Sequence, residues 1–123
     1  MTKNERIAGF VKLANLFQED NAELNHLIQS AQHKNPWYTP AQVSKAFDAW
    51  KSNLTELKLT NWLISYPDIE SEKIVGLVLA GNIPLVGFHD ILSVLIAGFK
   101  AQIKVSSDDA GLTTFVINKL IEV

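Results

Sequence analysis

The sequence predicts an α/β fold in which a helical N-terminal half precedes a strand–helix–strand–helix unit. Apolar residues recur at helical spacing through the first half of the 123-residue chain. The second half contains two short runs rich in Val, Leu and Ile, and each is followed by a segment of helical pattern. Alternating strands and helices of this kind are typical of a parallel sheet built from a βαβ unit.

Two helices are expected before residue 35. Thr2 and Glu5 have the spacing of a capping box, which marks the start of a helix. Apolar residues follow at helical spacing, namely Ile7, Phe10, Val11, Ala14 and Phe17. A second helical segment carries Leu24, Leu27, Ile28 and Ala31.

A turn and two further helices are expected between residues 35 and 66. Asn35-Pro36 is a turn signal, because the residue before a proline is disfavoured in helical conformation. Thr39 then has the position of an N-cap, with Pro40 at the first helical position. One helix carries Val43, Ala46, Phe47 and Trp50, and a separate one carries Leu54, Leu57, Trp62, Leu63 and Tyr66.

A polar link, "DIESEK", divides the chain into a helical region, 1–72, and a second region, 73–123, within one structural unit. Residues Ile74–Ala80 form an apolar run without alternation, which predicts a strand buried on both faces. The later elements are expected to be a helix over Leu85–Ala97 ended by Gly98, a strand over Ala101–Val105, and a last helix capped within Ser106–Asp108.

Composition excludes several classes of function. A net charge of -2 gives no electrostatic reason to expect nucleic-acid binding. The absence of cysteine excludes disulfides, Cys-ligated zinc and a thiol nucleophile within these residues. We expect no metal site, since His26 and His33 have no evident carboxylate partner. The absence of cysteine fits a cytoplasmic protein. The longest apolar stretch is interrupted by a proline and three polar residues, so we expect no membrane span; these residues are Asn82, Pro84, His89 and Asp90.

Polar residues follow both predicted strands. Ligands of open α/β sheets bind beyond the carboxyl ends of the strands, where Gly81-Asn82-Ile83-Pro84 and the segment around Lys104 are expected to lie. Glycine permits close approach to the backbone, Asn82 offers an amide, and Lys104 adds a positive charge beside the hydroxyls of Ser106 and Ser107. This set suits a phosphate, a ribose or a developing oxyanion. A tight turn with ordinary helix capping is the structural alternative.

Other polar and aromatic residues have simpler interpretations. His89-Asp90 could pair a base with a carboxylate, but an acidic residue at a helix start more often serves the helix dipole. Trp37, Tyr38 and Trp50 are interpreted, together with Trp62, as helix-packing residues rather than as a stacking surface.

The run "KIVGLVLAGNIPLVGFHDILSVLIAGFKAQIKVSSD", residues 73–108, closely resembles the LuxC-like acyl-CoA reductases of the aldehyde dehydrogenase superfamily, best known from bacterial bioluminescence. The upstream "NPWYTPAQV" and "LTNWLISYP" resemble the N-terminal part of the same family, so the resemblance covers nearly the whole chain. It implies that residues 73–123 begin an aldehyde-dehydrogenase-type cofactor-binding domain. It also implies NADPH-dependent reduction of a fatty acyl group, delivered by CoA or an acyl carrier, to an aldehyde through a cysteine thioester.

The resemblance assigns roles to individual residues. Asn82 is similar to the loop asparagine whose side chain stabilises the thioester oxyanion, and Lys104 to the lysine that contacts the adenosine ribose. Ser107 occupies a position where NAD-preferring relatives often carry an acidic residue, which favours NADPH over NADH. The cofactor-binding set implied in this way is Gly81, Ile83, Pro84, Lys104, Ser106 and Ser107.

The sequence departs from the family in one decisive respect, since it contains no cysteine to act as nucleophile. We therefore expect an N-terminal portion of a reductase, a fragment or a truncated product, that carries part of a nucleotide site and is inactive alone. Two strands also make an incomplete sheet. One alternative is a stand-alone, non-catalytic interaction module that pairs through its exposed sheet edge with itself, as a homo-oligomer, or with another chain. Another alternative is a small nucleotide-binding protein.

Overall fold

The helical region begins with four α-helices whose starts are set by capping side chains. The computed structural model describes residues 1–18 and 20–123. The helices are α1 (Lys3–Asn15), α2 (Ala22–Lys34), α3 (Pro40–Asn53) and α4 (Glu56–Leu63). Before each helix, one side chain accepts a hydrogen bond from the N–H three residues later; these residues are Thr2, Asn21, Thr39 and Thr55. Such caps satisfy amides that the first turn leaves unpaired, which confirms the predicted starts at Thr2 and Thr39.

The second region contains a strand–helix–strand unit followed by a further helix. Its elements are β1 (Ile74–Val78), α5 (Phe88–Ile96), β2 (Lys100–Lys104), a short 3-10 turn (Ser107–Asp109) and α6 (Leu112–Glu122). The strands pair in parallel, with Ile74 opposite Lys100 and Val78 opposite Lys104. The fold is therefore mixed α/β and mostly helical, which confirms the predicted class at this level.

Helix α5 begins three residues later than the sequence predicted. The prediction of a helix from Leu85 was wrong because Leu85 has a φ of 58°, in the left-handed region that a right-handed helix excludes. Residues 82–87 form bends and turns, and the helix starts at Phe88. Its predicted end is confirmed, since Gly98 follows it with a φ of 103° and donates its N–H to the Leu95 carbonyl.

The last helix also begins later than predicted. Its cap was expected within Ser106–Asp108, but the Ser106 hydroxyl accepts from the Asp108 N–H and so begins the 3-10 turn. Ala110 and Gly111 then have φ values of 59° and 82°, which separate that turn from α6. An alanine rarely adopts this conformation, so the sequence gives little sign of the break.

The prediction that both faces of the strands are buried was wrong. Val75 and Leu77 are half-buried, whereas Ile74 and Val78 are 64% and 84% exposed. Helix α5 contacts both strands, so one face is covered and the other faces solvent. We call the exposed side the open sheet face; its residues are Ile74, Gly76, Val78, Lys100, Gln102 and Lys104.

One hydrophobic core joins the helical region to the strand–helix–strand unit. Phe10 of α1 packs edge-on against Phe88 of α5, with ring centroids 6.4 Å apart. Phe47 of α3 contacts both Phe17 and Phe115, at centroid distances of 5.0 Å and 6.1 Å. These aromatic contacts come from elements on both sides of the polar link, so the sheet is supported by helices from the whole chain.

The segment before β1 is fixed by a buried arginine and a glycine. Arg6 is 7% exposed, and its guanidinium donates to the Ile96 carbonyl at 3.0 Å and contacts the Asp68 carboxylate at 3.3 Å. Beside it, a Cβ added at Gly98 would lie 1.8 Å from the Ile69 carbonyl oxygen. Gly98 therefore cannot carry a side chain unless the neighbouring backbone moves.

We expect Gly98→Ala to lower the free energy of unfolding by about 3 kcal/mol, from the left-handed conformation together with the steric clash. Gly9→Ala is the matched control, because a Cβ at Gly9 meets no atom within 4 Å and alanine favours the interior of α1. The control should raise the free energy of unfolding by about 0.5–1 kcal/mol. Urea denaturation measures both, and equal stabilities would contradict the packing described here.

Candidate functional site

The loops that follow β1 and β2 meet at the carboxyl edge of the sheet. The Leu79 N–H donates to the Lys104 carbonyl at 3.0 Å, which extends the pairing beyond the strands. A Cβ added at Gly81 would lie 2.6 Å from Ser106 Oγ and 3.2 Å from the Asp109 backbone nitrogen. Only glycine permits so close an approach, so the two loops form one surface. We call this contact the loop junction.

The predicted site residues divide into two sets around the loop junction. Gly81 is buried and Ser106 is half-buried, and these two are in direct contact. Asn82, Lys104 and Ser107 are exposed at the same edge of the sheet, where their side chains are available to a ligand. The structure thus brings the two loops into contact through Gly81 and Ser106 and leaves polar side chains of both loops exposed.

Ile83 and Pro84 lie with Asn82 along a groove against α3. The groove has a volume of about 620 Å³. Leu85 turns its side chain into the core and is 2% exposed, while Ile83 and Val86 are 56% and 37% exposed. The other principal groove residues are Trp37, Lys45, Ala46 and Trp50. Most of this lining is apolar, and Asn82 is one of its polar residues.

Tyr38 is a site residue that the sequence did not reveal. It is fully buried, and its hydroxyl donates to the Gly81 carbonyl at 2.5 Å. Burial, together with the nearby carboxylates of Asp109 and Asp108, raises the pKa of Tyr38 to about 12. The phenol therefore remains protonated and able to donate at neutral pH. The interpretation of Trp37 as a packing residue was wrong, since it is 82% exposed.

Asn35 makes the equivalent contact to the second loop. Its side-chain amide donates to the Asp108 carbonyl at 2.8 Å, and its oxygen accepts from the Trp37 N–H at 3.1 Å. Asn35-Pro36 was predicted only as a turn. The structure shows that this turn also contacts the loop after β2.

The buried residue Asp109 lies next to the loop junction and connects it to α6. Asp109 is 3% exposed, and its two oxygens accept from the Thr113 N–H at 2.7 Å and the Thr113 hydroxyl at 2.6 Å. It thereby caps the first turn of α6. Burial raises the pKa of the Asp109 carboxyl, and the two hydrogen bonds from Thr113 oppose part of that shift.

His89 and Asp90 lie in the first turn of α5, as their interpretation as helix-start residues predicted. The His89 ring lies 6.3 Å from the rings of both Trp50 and Trp62. The Ser93 hydroxyl donates to the His89 carbonyl at 2.8 Å. These contacts give His89 a packing role between α3, α4 and α5.

Within the part of the chain that the structure describes, no group of three or more His, Asp or Glu side chains is placed to hold a metal ion. No helix in that part is both long and apolar enough to cross a membrane. Comparison with known protein families, curated proteins and solved structures gave no match for this chain.

The raised pKa of Asp109 predicts a pH dependence of stability. Its protonated form is favoured in the folded state, so its stabilising effect is complete below the ordinary pKa of 3.8 and is lost as the pH rises through the raised value. Asp109→Asn lacks this titration and still offers an oxygen to the Thr113 N–H. Relative to this variant, the wild type should lose stability as the pH increases from 3.8.

Urea denaturation of both proteins between pH 3.5 and 7 tests this expectation. Asp48→Asn, which removes an exposed carboxylate on α3, is the control for the loss of one negative charge. A difference between wild type and Asp109→Asn that stays constant with pH would show that Asp109 titrates alike in the folded and unfolded chains.

Proposed function

We propose that these residues form the cofactor-facing part of an NADPH-dependent acyl-CoA reductase that produces a fatty aldehyde. The observation that supports this most is the loop junction, which lies within the segment that resembles the LuxC-like reductases. There Asn82, Lys104 and Ser107 are exposed at the edge of a parallel sheet where α/β proteins bind nucleotides. In this proposal, residues 73–123 begin an aldehyde-dehydrogenase-type cofactor-binding domain.

The donor set at the junction suits the adenosine half of a nicotinamide cofactor. Lys104 supplies a positive charge, and Ser106 and Ser107 supply hydroxyls beside it. These groups can bind a ribose or a phosphate. The Asp108 carboxylate adjoins Ser107, so the preference between NADPH and NADH depends on which side chain faces the 2′ position. When bound, the cofactor supplies a hydride.

The groove beside Asn82 suits an acyl substrate. Its apolar lining, which includes Trp37, Ile83 and Val86, favours a hydrocarbon chain. The Asn82 side-chain amide can donate a hydrogen bond to the oxygen of the reacting carbonyl as negative charge develops there. The nucleophilic cysteine must come from residues outside this sequence, which contains none. We therefore expect no turnover by these residues alone.

The proposal predicts that the chain binds NADPH and that Lys104→Ala weakens binding about tenfold, since a charge-assisted hydrogen bond contributes about 1.5 kcal/mol or more. Lys100→Ala is the matched control. Lys100 lies on the same strand and the same open sheet face, but at the opposite end, where it pairs with Glu72. Isothermal titration calorimetry with NADPH and NADH measures the affinities.

Two outcomes would count against the cofactor site. If neither dinucleotide binds, the site is not a nucleotide site in this chain. If both lysine variants weaken binding equally, a general electrostatic effect explains the result, and the role assigned to Lys104 is wrong.

A second candidate function is self-association through the strand edges. Each strand of a two-stranded sheet has one unpaired edge, and such edges pair readily with another strand. Here the edges adjoin an open face that exposes Ile74 and Val78 by 64% and 84%. A second copy that pairs with β1 would bring these side chains into cross-strand contact and continue the sheet.

This candidate predicts a molecular mass in solution that rises with protein concentration. The double variant Ile74→Lys/Val78→Lys should weaken association at least about tenfold, because it replaces apolar cross-strand contacts by neighbouring like charges. Leu57→Lys on α4, where the wild-type side chain is 72% exposed, is the control for adding charge at an exposed apolar position. Sedimentation equilibrium that yields the monomer mass at every concentration would reject this candidate.

A further inference from the structure

The turn formed by residues 35–38 contacts both loops of the junction. Tyr38 donates to the Gly81 carbonyl, and Asn35 donates to the Asp108 carbonyl at 2.8 Å. These partners are 43 and 73 residues away along the chain. A single turn of the helical region therefore supplies one hydrogen-bond donor to the loop after β1 and another to the loop after β2.

The turn is fixed by the helices that flank it, α2 before it and α3 after it. Asn35 ends α2, and its N–H donates to the Ala31 carbonyl at 3.0 Å. The Tyr38 N–H donates back to the Asn35 carbonyl at 2.9 Å, and Thr39 begins α3. The Tyr38 ring is fully buried. Both donors are thus fixed relative to the packed helices α2 and α3.

Each acceptor carbonyl belongs to a peptide group whose nitrogen is that of a residue in the loop junction or next to it. The Gly81 carbonyl and the Asn82 N–H are parts of one planar peptide, so the direction of the carbonyl sets the backbone that carries the Asn82 side chain. The Asp108 carbonyl shares a peptide with the Asp109 nitrogen, which lies close to Gly81 in the loop junction. Fixing the two carbonyls fixes both loops relative to each other.

We propose that Tyr38 and Asn35 are positioning residues, which orient Asn82 and set its placement relative to the Lys104–Ser107 segment. This inference rests on the proposed function, because it assigns the two residues to the geometry of that same nucleotide site. Neither residue contacts the ligand in this scheme. Their effect passes through the Gly81 and Asp108 carbonyls.

Two conservative variants separate this role from packing. Tyr38→Phe keeps the buried ring and removes the donor to Gly81. Asn35→Asp keeps an oxygen for the Trp37 N–H and removes the donor to Asp108. Leu59→Ala, at a buried position of α4, lowers stability away from the site. Asn118→Asp, at an exposed position of α6, matches the charge change of Asn35→Asp.

The experiment measures two quantities on the full 123-residue chain. Calorimetric titration with NADPH gives the dissociation constant, which should rise about three- to tenfold in Tyr38→Phe and Asn35→Asp and stay unchanged in both controls. NMR relaxation gives the order parameters of the backbone amides. The Asn82 amide should become more mobile in Tyr38→Phe, and the Asp109 amide in Asn35→Asp, with the amides of α5 unchanged.

The results distinguish a failure of the positioning role from a failure of NADPH binding. If the wild type binds NADPH and both variants bind equally well, the positioning role is overturned and the nucleotide site stands. If the wild type does not bind NADPH, the proposed cofactor is wrong, and the order parameters alone decide the positioning role. Unchanged order parameters at Asn82 and Asp109 would overturn it, and selective mobility at each amide would support it.

Discussion

A parallel sheet of two five-residue strands is not stable alone, so it depends on packing against the rest of the fold. Helix α5 covers one face, and its Phe88 contacts Phe10 of α1 and Trp50 of α3. The helical region therefore supplies the apolar surface that the strands lack. Without that packing, the loops after β1 and β2 would have no fixed relation to each other.

The candidate site depends on the helical region in a second way. The loop junction is a contact between backbone and small side chains at Gly81 and Ser106, and it offers little apolar surface of its own. Its geometry is instead set by hydrogen bonds from Tyr38 and Asn35 and by the Asp109 carboxylate, which lies in the 3-10 turn and accepts from Thr113 of α6. Buried polar groups of this kind are costly unless they are paired, and here each has a partner. A displaced loop would leave such groups unpaired, so the arrangement favours one geometry.

The sequence predicted the features that local chemistry decides. Thr2 and Thr39 begin helices because a side-chain oxygen three residues before an amide can reach it, and Gly98 ends α5 because glycine tolerates a positive φ. The mixed α/β class followed from the change in apolar pattern. The meeting of the two loops could also be predicted, since residues after parallel strands meet at one end of a sheet.

Features that depend on distant residues could not be predicted in this way. Nothing in "NPWY" indicates that Tyr38 reaches a carbonyl 43 residues away. Leu85 adopts a left-handed conformation, and its side chain is buried in the core by residues distant in the sequence. The continuous apolar run of β1 is typical of a strand buried on both faces. Whether Ile74 and Val78 are covered depends on whether another element packs on that face of the sheet. The sequence of the strand itself does not show this.

The two candidate functions use the same strands but do not exclude each other. Val78 and Lys104 lie opposite each other on the open sheet face, at the end where the loops meet. A partner that covered this face would bury the aliphatic stem of Lys104. A lysine can bury its stem and still extend its amine to the rim of the covered surface. At this position the rim is the carboxyl edge of the sheet, where Asn82 and Ser107 are exposed. With the face covered, the Lys104 amine could remain at this edge, so the two proposed functions are compatible.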